Sequence, residues 1–142
     1  HNSPLKSIKI GENPIVFCAS SKYLKSKKTP PHISNLKSHP LLAISPHLDL
    51  PFQKLGKKLS QVCGDCWISS SNGDILVEQA KLHQGLLVRS RWGVQRELAL
   101  GELVEVPMGD KLVTDTGVYM VFPENRFMPQ RVRTFIDFFK HK

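Results

Sequence analysis

The sequence has no stretch approaching the roughly 18 or more consecutive apolar residues that a membrane helix needs. Its opening residues, His1-Asn2-Ser3-Pro4-Leu5, lack the basic-then-apolar order of a secretory signal, and no initiator Met stands before them. The expectation is a cytoplasmic protein, without membrane contact, whose natural start is missing or removed. Cysteine is scarce and odd in number: Cys18, Cys63 and Cys66 argue against a secreted disulfide framework. Cys18 falls in the apolar run Ile15-Val16-Phe17-Cys18-Ala19, where a small buried hydrophobe belongs. Cys63-Gly64-Asp65-Cys66 has the spacing of a thiol-redox or zinc motif. Trp67-Ile68 and a serine cluster follow it, so it reads as a turn into a strand, not as the helix start that lowers a thiol pKa. Zinc would need two further ligands, and none of the six histidines is paired at i, i+4. There is no GxSxG, no GxxxxGK loop and no second carboxylate near Asp49. These absences point away from an enzyme and predict no catalytic residue, no metal and no cofactor.

Arginine is missing from the first 62 residues, which hold ten lysines and two acids, Glu12 and Asp49. The remaining residues hold ten charges of each sign, so the whole net charge of +8 falls in the first part. Lysines gather at Lys22, Lys25, Lys27 and Lys28, and again at Lys54, Lys57 and Lys58. Such a patch suits phosphates. It lacks the arginines and stacking rings of base readers, Tyr23 apart, so a solvated surface is the plainer reading.

What is present is a rhythm of short apolar runs and amphipathic segments, in a chain long enough for one domain or one lobe of a larger one. Residues 5–10 alternate at period two, as a strand does. Gly11-Glu12-Asn13-Pro14 is a turn, and residues 15–19 read as a strand buried on both faces. Ser20 and Ser21 cap a short helix over 22–28, a helical turn follows at 33–36, and 41–44 form a second buried strand. Residues 45–61 are polar and proline-punctuated and give no clear element. A third strand is expected at 66–68. The spacing then predicts a helix over 74–84 with Ile75, Leu76, Gln79, Ala80 and His83 inward and Gly85 as its left-handed cap. A strand at 86–88, a Ser90-capped helix to Leu100 and a strand at 103–107 complete an α/β layer with a largely parallel sheet. Residues 117–123 read as a buried strand. Pro129 opens a helix over 130–140 in which Val132, Phe135, Ile136 and Phe139 share one face.

Five segments, in this order, resemble the regulatory domain of LysR-type transcriptional regulators. Residues 15–24 are similar to its strand followed by AS-x-x-YL, and Thr29-Pro30 through Leu36, Ser38 and His39 to its TP…DL…H stretch. Asn72-Gly73, a helix and Gly85-Leu86-Leu87-Val88 resemble a third motif. Glu97-Leu98-Ala99-Leu100-Gly101-Glu102-Leu103-Val104 resembles E-L-A-x-G-x-L-V, and residues 131–139 resemble K/R-V-R-A-F-I-D-F-L. His83-Gln84 and Arg89-Ser90 depart from the pattern, the latter standing where Leu-Pro is common. The resemblance implies an α/β, Rossmann-like lobe of a periplasmic-binding-protein type 2 fold. The family's winged helix-turn-helix, linker helix and first lobe have no counterpart before His1. Residues 1–11 would then be a crossover strand from that first lobe, 12–122 the second lobe, and 123–142 the hinge and C-terminal return helix. The terminal helix would lack its usual partner. Each buried apolar side chain is worth roughly 1.5–3 kcal/mol, so that helix is expected to fold onto the lobe or form a homo-oligomer.

The family binds a small effector, often a carboxylate, between two lobes, and touches DNA through its N-terminal domain. On this chain Ser70, Ser71 and Asn72, just before the helix at 74–84, are the first candidates for effector contact. Ser45 and His47, after the strand at 41–44, are the second. Ser20-Ser21 is a comparable strand-to-helix turn. The plain alternative is that these residues only cap helices and form turns. A different class competes: a stand-alone module that binds a partner or nucleic acid through the lysine patch or the apolar terminal helix.

Overall fold

The computed structural model describes residues 5–65, 67–114, 117–123 and 130–140. They divide into two compact units, one from the two ends of the chain (His1–Asn13 and Asp115–Lys142) and one from Pro14–Thr114.

In the end-derived unit β1 (Leu5–Glu12) pairs antiparallel with β7 (Gly117–Pro123), from Leu5 opposite Pro123 to Glu12 opposite Gly117. The register shifts between Lys9 and Gly11, so the predicted turn at 11–14 begins only after Glu12. Helix α6 (Gln130–Lys140) has the bounds that its periodicity predicts and lies against β1. At Val132, Phe135, Ile136 and Phe139 the side chains lie outside what is described, so the predicted packing of that face is untested.

Pro14–Thr114 forms a five-stranded sheet in the order β4-β3-β5-β2-β6, where β2 is Ile15–Ala19, β3 Leu41–Ala43, β4 Trp67–Ser69, β5 Leu86–Ser90 and β6 Val104–Glu105. β3 runs parallel to both β4 and β5, while β2 is antiparallel to its neighbours β5 and β6. Four of the five strands thus share one direction, matching the largely parallel sheet expected. The period of two along each buried strand decides which layer a side chain enters. Phe17, Ala19, Leu41, Ala43, Leu86 and Val88 join one layer with Tyr23, Leu36, Leu48, Phe52 and Leu59. Val16, Cys18, Leu42 and Leu87 join the other, beneath Leu76, Val77 and Ala80 of α4 (Gly73–Lys81) and Val94 of α5 (Arg91–Leu100). Burial, with Glu105 and Glu97 nearby, pushes the Cys18 thiol up to about 12, as suits an inert core residue.

The first layer is built by short elements: α1 (Ser21–Lys25), a 3-10 helix (Ile33–Ser38), α2 (Ser45–Leu48) and α3 (Leu59–Cys63). α1 stops three residues before the predicted end. Segment 45–61, unreadable from pattern, is fixed by distant partners. The Phe52 ring stacks on Phe17 at 6.1 Å between centroids, and the Asp110 carboxylate accepts the N–H groups of Lys54 and Leu55. In α4 the inward residues are Leu76, Val77 and Ala80, whereas Ile75 is half exposed. The helix ends in a double-bonded cap, Gln84 N–H to Gln79 C=O and His83 N–H to Ala80 C=O. His83, not Gly85, supplies the left-handed residue (φ 67°), and its ring sits 2.7 Å from Ser20 Oγ. Gly85 is needed for another reason: a Cβ there would stand 2.5 Å from the Pro40 carbonyl oxygen.

Tyr23 Oη and His39 Nδ1 lie 2.6 Å apart within the buried layer, His39 being 2% exposed. Burial first, then Lys27, holds the His39 pKa below the ordinary 6.5. Protons therefore favour the unfolded chain at this residue. Its contribution to stability is complete above pH 6.5 and is lost as the pH falls from there through the lowered folded-state value. Thermal melts are expected to lose Tm on the acid side of that point, with a shallower acid slope in His39→Gln.

Candidate functional site

Three parallel strands, β3, β4 and β5, deliver their C-terminal ends to one edge of the sheet, where ligands of open α/β sheets are held. The chain leaves this edge as Ile44-Ser45, as Ser70-Ser71-Asn72 and as Ser90, each leading into a helix. Ala43 is level with Ser69, and Ser45 Oγ lies 3.1 Å from Ser69 Oγ, joining the β3 and β4 exits. Asn72 caps α4: its Oδ1 accepts the Asp74 N–H at 3.0 Å, and its own N–H donates to Ser70 Oγ at 3.1 Å. Ser90 Oγ accepts the Gly93 N–H and caps α5 in the same way. Ser45, Ser71 and Asn72 are exposed, and Ser70 and His47 are half-buried. All five residues singled out from the sequence thus lie in the loops and first helical turns of one edge. Ser20 and Ser21 do not. β2 runs the other way, so they stand at the opposite edge, and Ser20 is 2% exposed.

The sequence marked Arg89 only as a departure from the family pattern, not as a candidate contact, yet it is the charge at this edge. Its side chain rises from the end of β5 on the α4/α5 face and is 20% exposed. The first turns of two helices make room for it. A Cβ on Gly73 would stand 1.9 Å from Arg89 Nη1, and one on Gly93 2.6 Å from Nε. Glycine in a helix costs about 1 kcal/mol relative to alanine, and a cation beside a helix N-terminus is disfavoured by about 0.3–1 kcal/mol. Little protein charge offsets this. Arg89 Nη2 reaches Asp74 Oδ1 at 3.4 Å, but the Asp74 side chain is 89% exposed, and such pairs contribute little. Arg89 Nε is buried with no hydrogen-bond partner among the described residues, and so is Nδ1 of His47. Burial lowers the His47 pKa; the Val88 backbone opposes this and Arg89 adds to it, leaving a neutral ring near pH 7. The edge thus gathers one guanidinium, a neutral imidazole, hydroxyls and two helix N-termini, groups whose chemistry suits an anion. The available signal was the arginine at 89 with glycines at positions 73 and 93 of helix starts.

Away from this edge a depression of about 310 Å³ is lined by Ile33, Leu36, Lys37, Leu55, Lys57 and Gln61 among others. It is built from segments that enter β3 and β4, not those that leave them, and it takes in part of the lysine patch. Among the described residues no cluster of three or more His, Cys, Asp or Glu side chains is arranged to hold a metal. Cys63 is buried at the end of α3, and Cys66, the second thiol of the CxxC, lies outside the described residues.

With this edge in view, the sequence comparison is decisive: residues 1–142 match the family described as LysR substrate binding domain. The chain belongs to that family. LysR-type relatives agree. The regulator DmlR of Escherichia coli K12 is 28% identical over 138 residues, covering 93% of this chain and 43% of its own length. Full-length AphB of Vibrio cholerae, a virulence activator of the LysR type, is similar in structure with a TM-score of 0.71 at 25% identity, covering 99% of this chain and 49% of AphB. The regulatory domain of AphB from Vibrio vulnificus superposes with a TM-score of 0.72 over the whole chain and 71% of that domain; at 22% identity it speaks for the fold alone. The LysR substrate-binding fold is thus the α/β, periplasmic-binding-protein type 2 architecture that the sequence suggested. The chain spans less than half the length of the curated relatives it matches. Those relatives are transcriptional regulators, and among the described residues no helix is long and apolar enough to cross a membrane.

Proposed function

We propose that residues 12–122, with the compact unit Pro14–Thr114 as their body, are one lobe of the effector-binding domain of a LysR-type transcriptional regulator, and that a small anionic effector is held at the edge where β3, β4 and β5 end. Arg89 carries this reading: a mostly buried cation, seated on two glycines, with one loose and exposed counter-ion. Ser45, Ser70, Ser71 and Asn72 supply hydroxyl, amide and N–H groups around the anion, and His47 offers a neutral ring beside Arg89. The wider assignments follow the family. Residues 1–11 enter from a first lobe, 12–122 form the second lobe, and 123–142 return to the first. The intact protein is cytoplasmic and non-enzymatic, contacts DNA through an N-terminal domain, and self-associates through α6.

A thermal-shift screen at constant ionic strength, pairing each small carboxylic acid with its uncharged amide, tests the reading. A ligand that binds the folded state raises Tm, and the gain grows with the logarithm of its concentration above Kd. At least one acid is expected to raise Tm by about 2–4 °C, which corresponds to less than about 1 kcal/mol in a domain of this size, with no rise from its amide. Equal shifts from acid and amide would remove the anionic effector.

A further inference from the structure

Resting on that anionic reading, we infer that Asp74 is a built-in substitute for the effector: its carboxylate occupies Arg89 in the free protein and must give way to the acid group of the ligand. The observation is the Arg89–Asp74 pair itself. Asp74 Oδ1 sits 3.4 Å from Arg89 Nη2, at the long end of hydrogen bonding, and it is the one acidic side chain paired with Arg89 among the described residues. It is also the second residue of α4, where a carboxylate complements the helix end. Its backbone is fixed, because its N–H donates to Asn72 Oδ1, yet its side chain is 89% exposed and free to turn outward. Arg89, 20% exposed, is the more confined of the two. Its stem lies across Gly93 and its guanidinium against Gly73. One partner is held and the other is loose, so an incoming carboxylate replaces Asp74 without moving Arg89. Asp74 therefore sets the affinity threshold. It screens the guanidinium against weak monovalent anions and yields to a ligand with further contacts at Ser45, Asn72 or Ser90. Three consequences separate this from a plain surface ion pair. Loss of the Asp74 charge strengthens carboxylate binding, loss of Arg89 removes it, and loss of a comparable acid that does not touch Arg89 does neither.

The experiment is an NMR titration of the protein with succinate and, separately, with neutral succinamide at constant ionic strength, following the amides of Gly73, Asp74 and Gly93. Asp74→Asn is expected to tighten succinate binding about fivefold, the upper range for an exposed ion pair. Glu78→Gln, one turn along α4 and paired with Lys81, should change it less than about twofold. Arg89→Gln should abolish the succinate response, and succinamide should give none in any variant. Unchanged or weaker binding in Asp74→Asn, with Arg89→Gln still inactive, overturns the substitute and leaves the anionic reading standing. An equal gain from Glu78→Gln overturns it as well, since the effect is then the general field of α4. Absence of succinate binding in every variant removes the inference and the anionic reading together.

Discussion

Gly73→Ala is expected to leave the lobe as stable as before, or slightly more so, while weakening carboxylate binding by about tenfold or more. The two effects have separate origins. Alanine is the better helix former by up to about 1 kcal/mol, and Gly73 opens α4 with a negative φ that any residue adopts. The added methyl group would stand 1.9 Å from Arg89 Nη1, the far end of a flexible side chain, which swings aside at small cost. Once displaced, the guanidinium no longer points at the edge formed by β3, β4 and β5. A hydrogen bond to a charged group contributes about 1.5–3 kcal/mol, and each 1.4 kcal/mol is about tenfold in affinity. Urea melts and a carboxylate titration of the same sample check both halves. Lower stability with intact binding would mean that Gly73 serves only packing. Gly93→Ala is less clean, because its methyl would meet Cγ and Nε of the arginine stem at 2.8 and 2.6 Å.

Leu87→Ala is expected to have the largest effect on folding, about 2–5 kcal/mol. Leu87 is fully buried at the centre of the sheet, level with Cys18 on β2 and Leu42 on β3, and it faces the α4/α5 layer. Strands on both sides fix its backbone, so the space left by three lost carbons cannot close. A domain holds only about 5–15 kcal/mol in all, so the variant would sit near the limit of folding. The midpoint of urea unfolding should fall with little change in slope. Ile68→Ala, at a side chain 51% exposed on the edge strand β4, is expected to cost less than about 0.5 kcal/mol.

Local pattern made the sheet legible. Residues 15–19, 41–44 and 86–88 are apolar without break because both of their faces are covered, and α6 announces itself by period and by Pro129; β7 forms where expected but is not the buried strand predicted, with Tyr119 47% and Val121 59% exposed. The turns at Ser20, Asn72 and Ser90 were legible for the same local reason, since each caps the helix that follows, whereas Ser45 is the first residue of α2 and its hydroxyl turns to Ser69. Segment 45–61 was not, because Phe52 and Leu59 find their partners through the sheet and the loop around Asp110, far off in sequence. The predicted left-handed Gly85 failed because His83 tolerates that conformation with Ser20 as a partner 63 residues away. Arg89 was hidden most deeply. In sequence it is one cation near a strand end, and its meaning comes from Gly73, Asp74 and Gly93, which the fold alone brings around it.

The most direct measurement is a map of amide chemical-shift changes on adding a carboxylate. Anion recognition at the C-terminal edge predicts changes confined to residues 45–47, 69–74 and 89–93. Changes centred instead on Lys37, Leu55 and Lys57, around the lysine-lined depression, would contradict it and move the binding site to the other edge of the sheet.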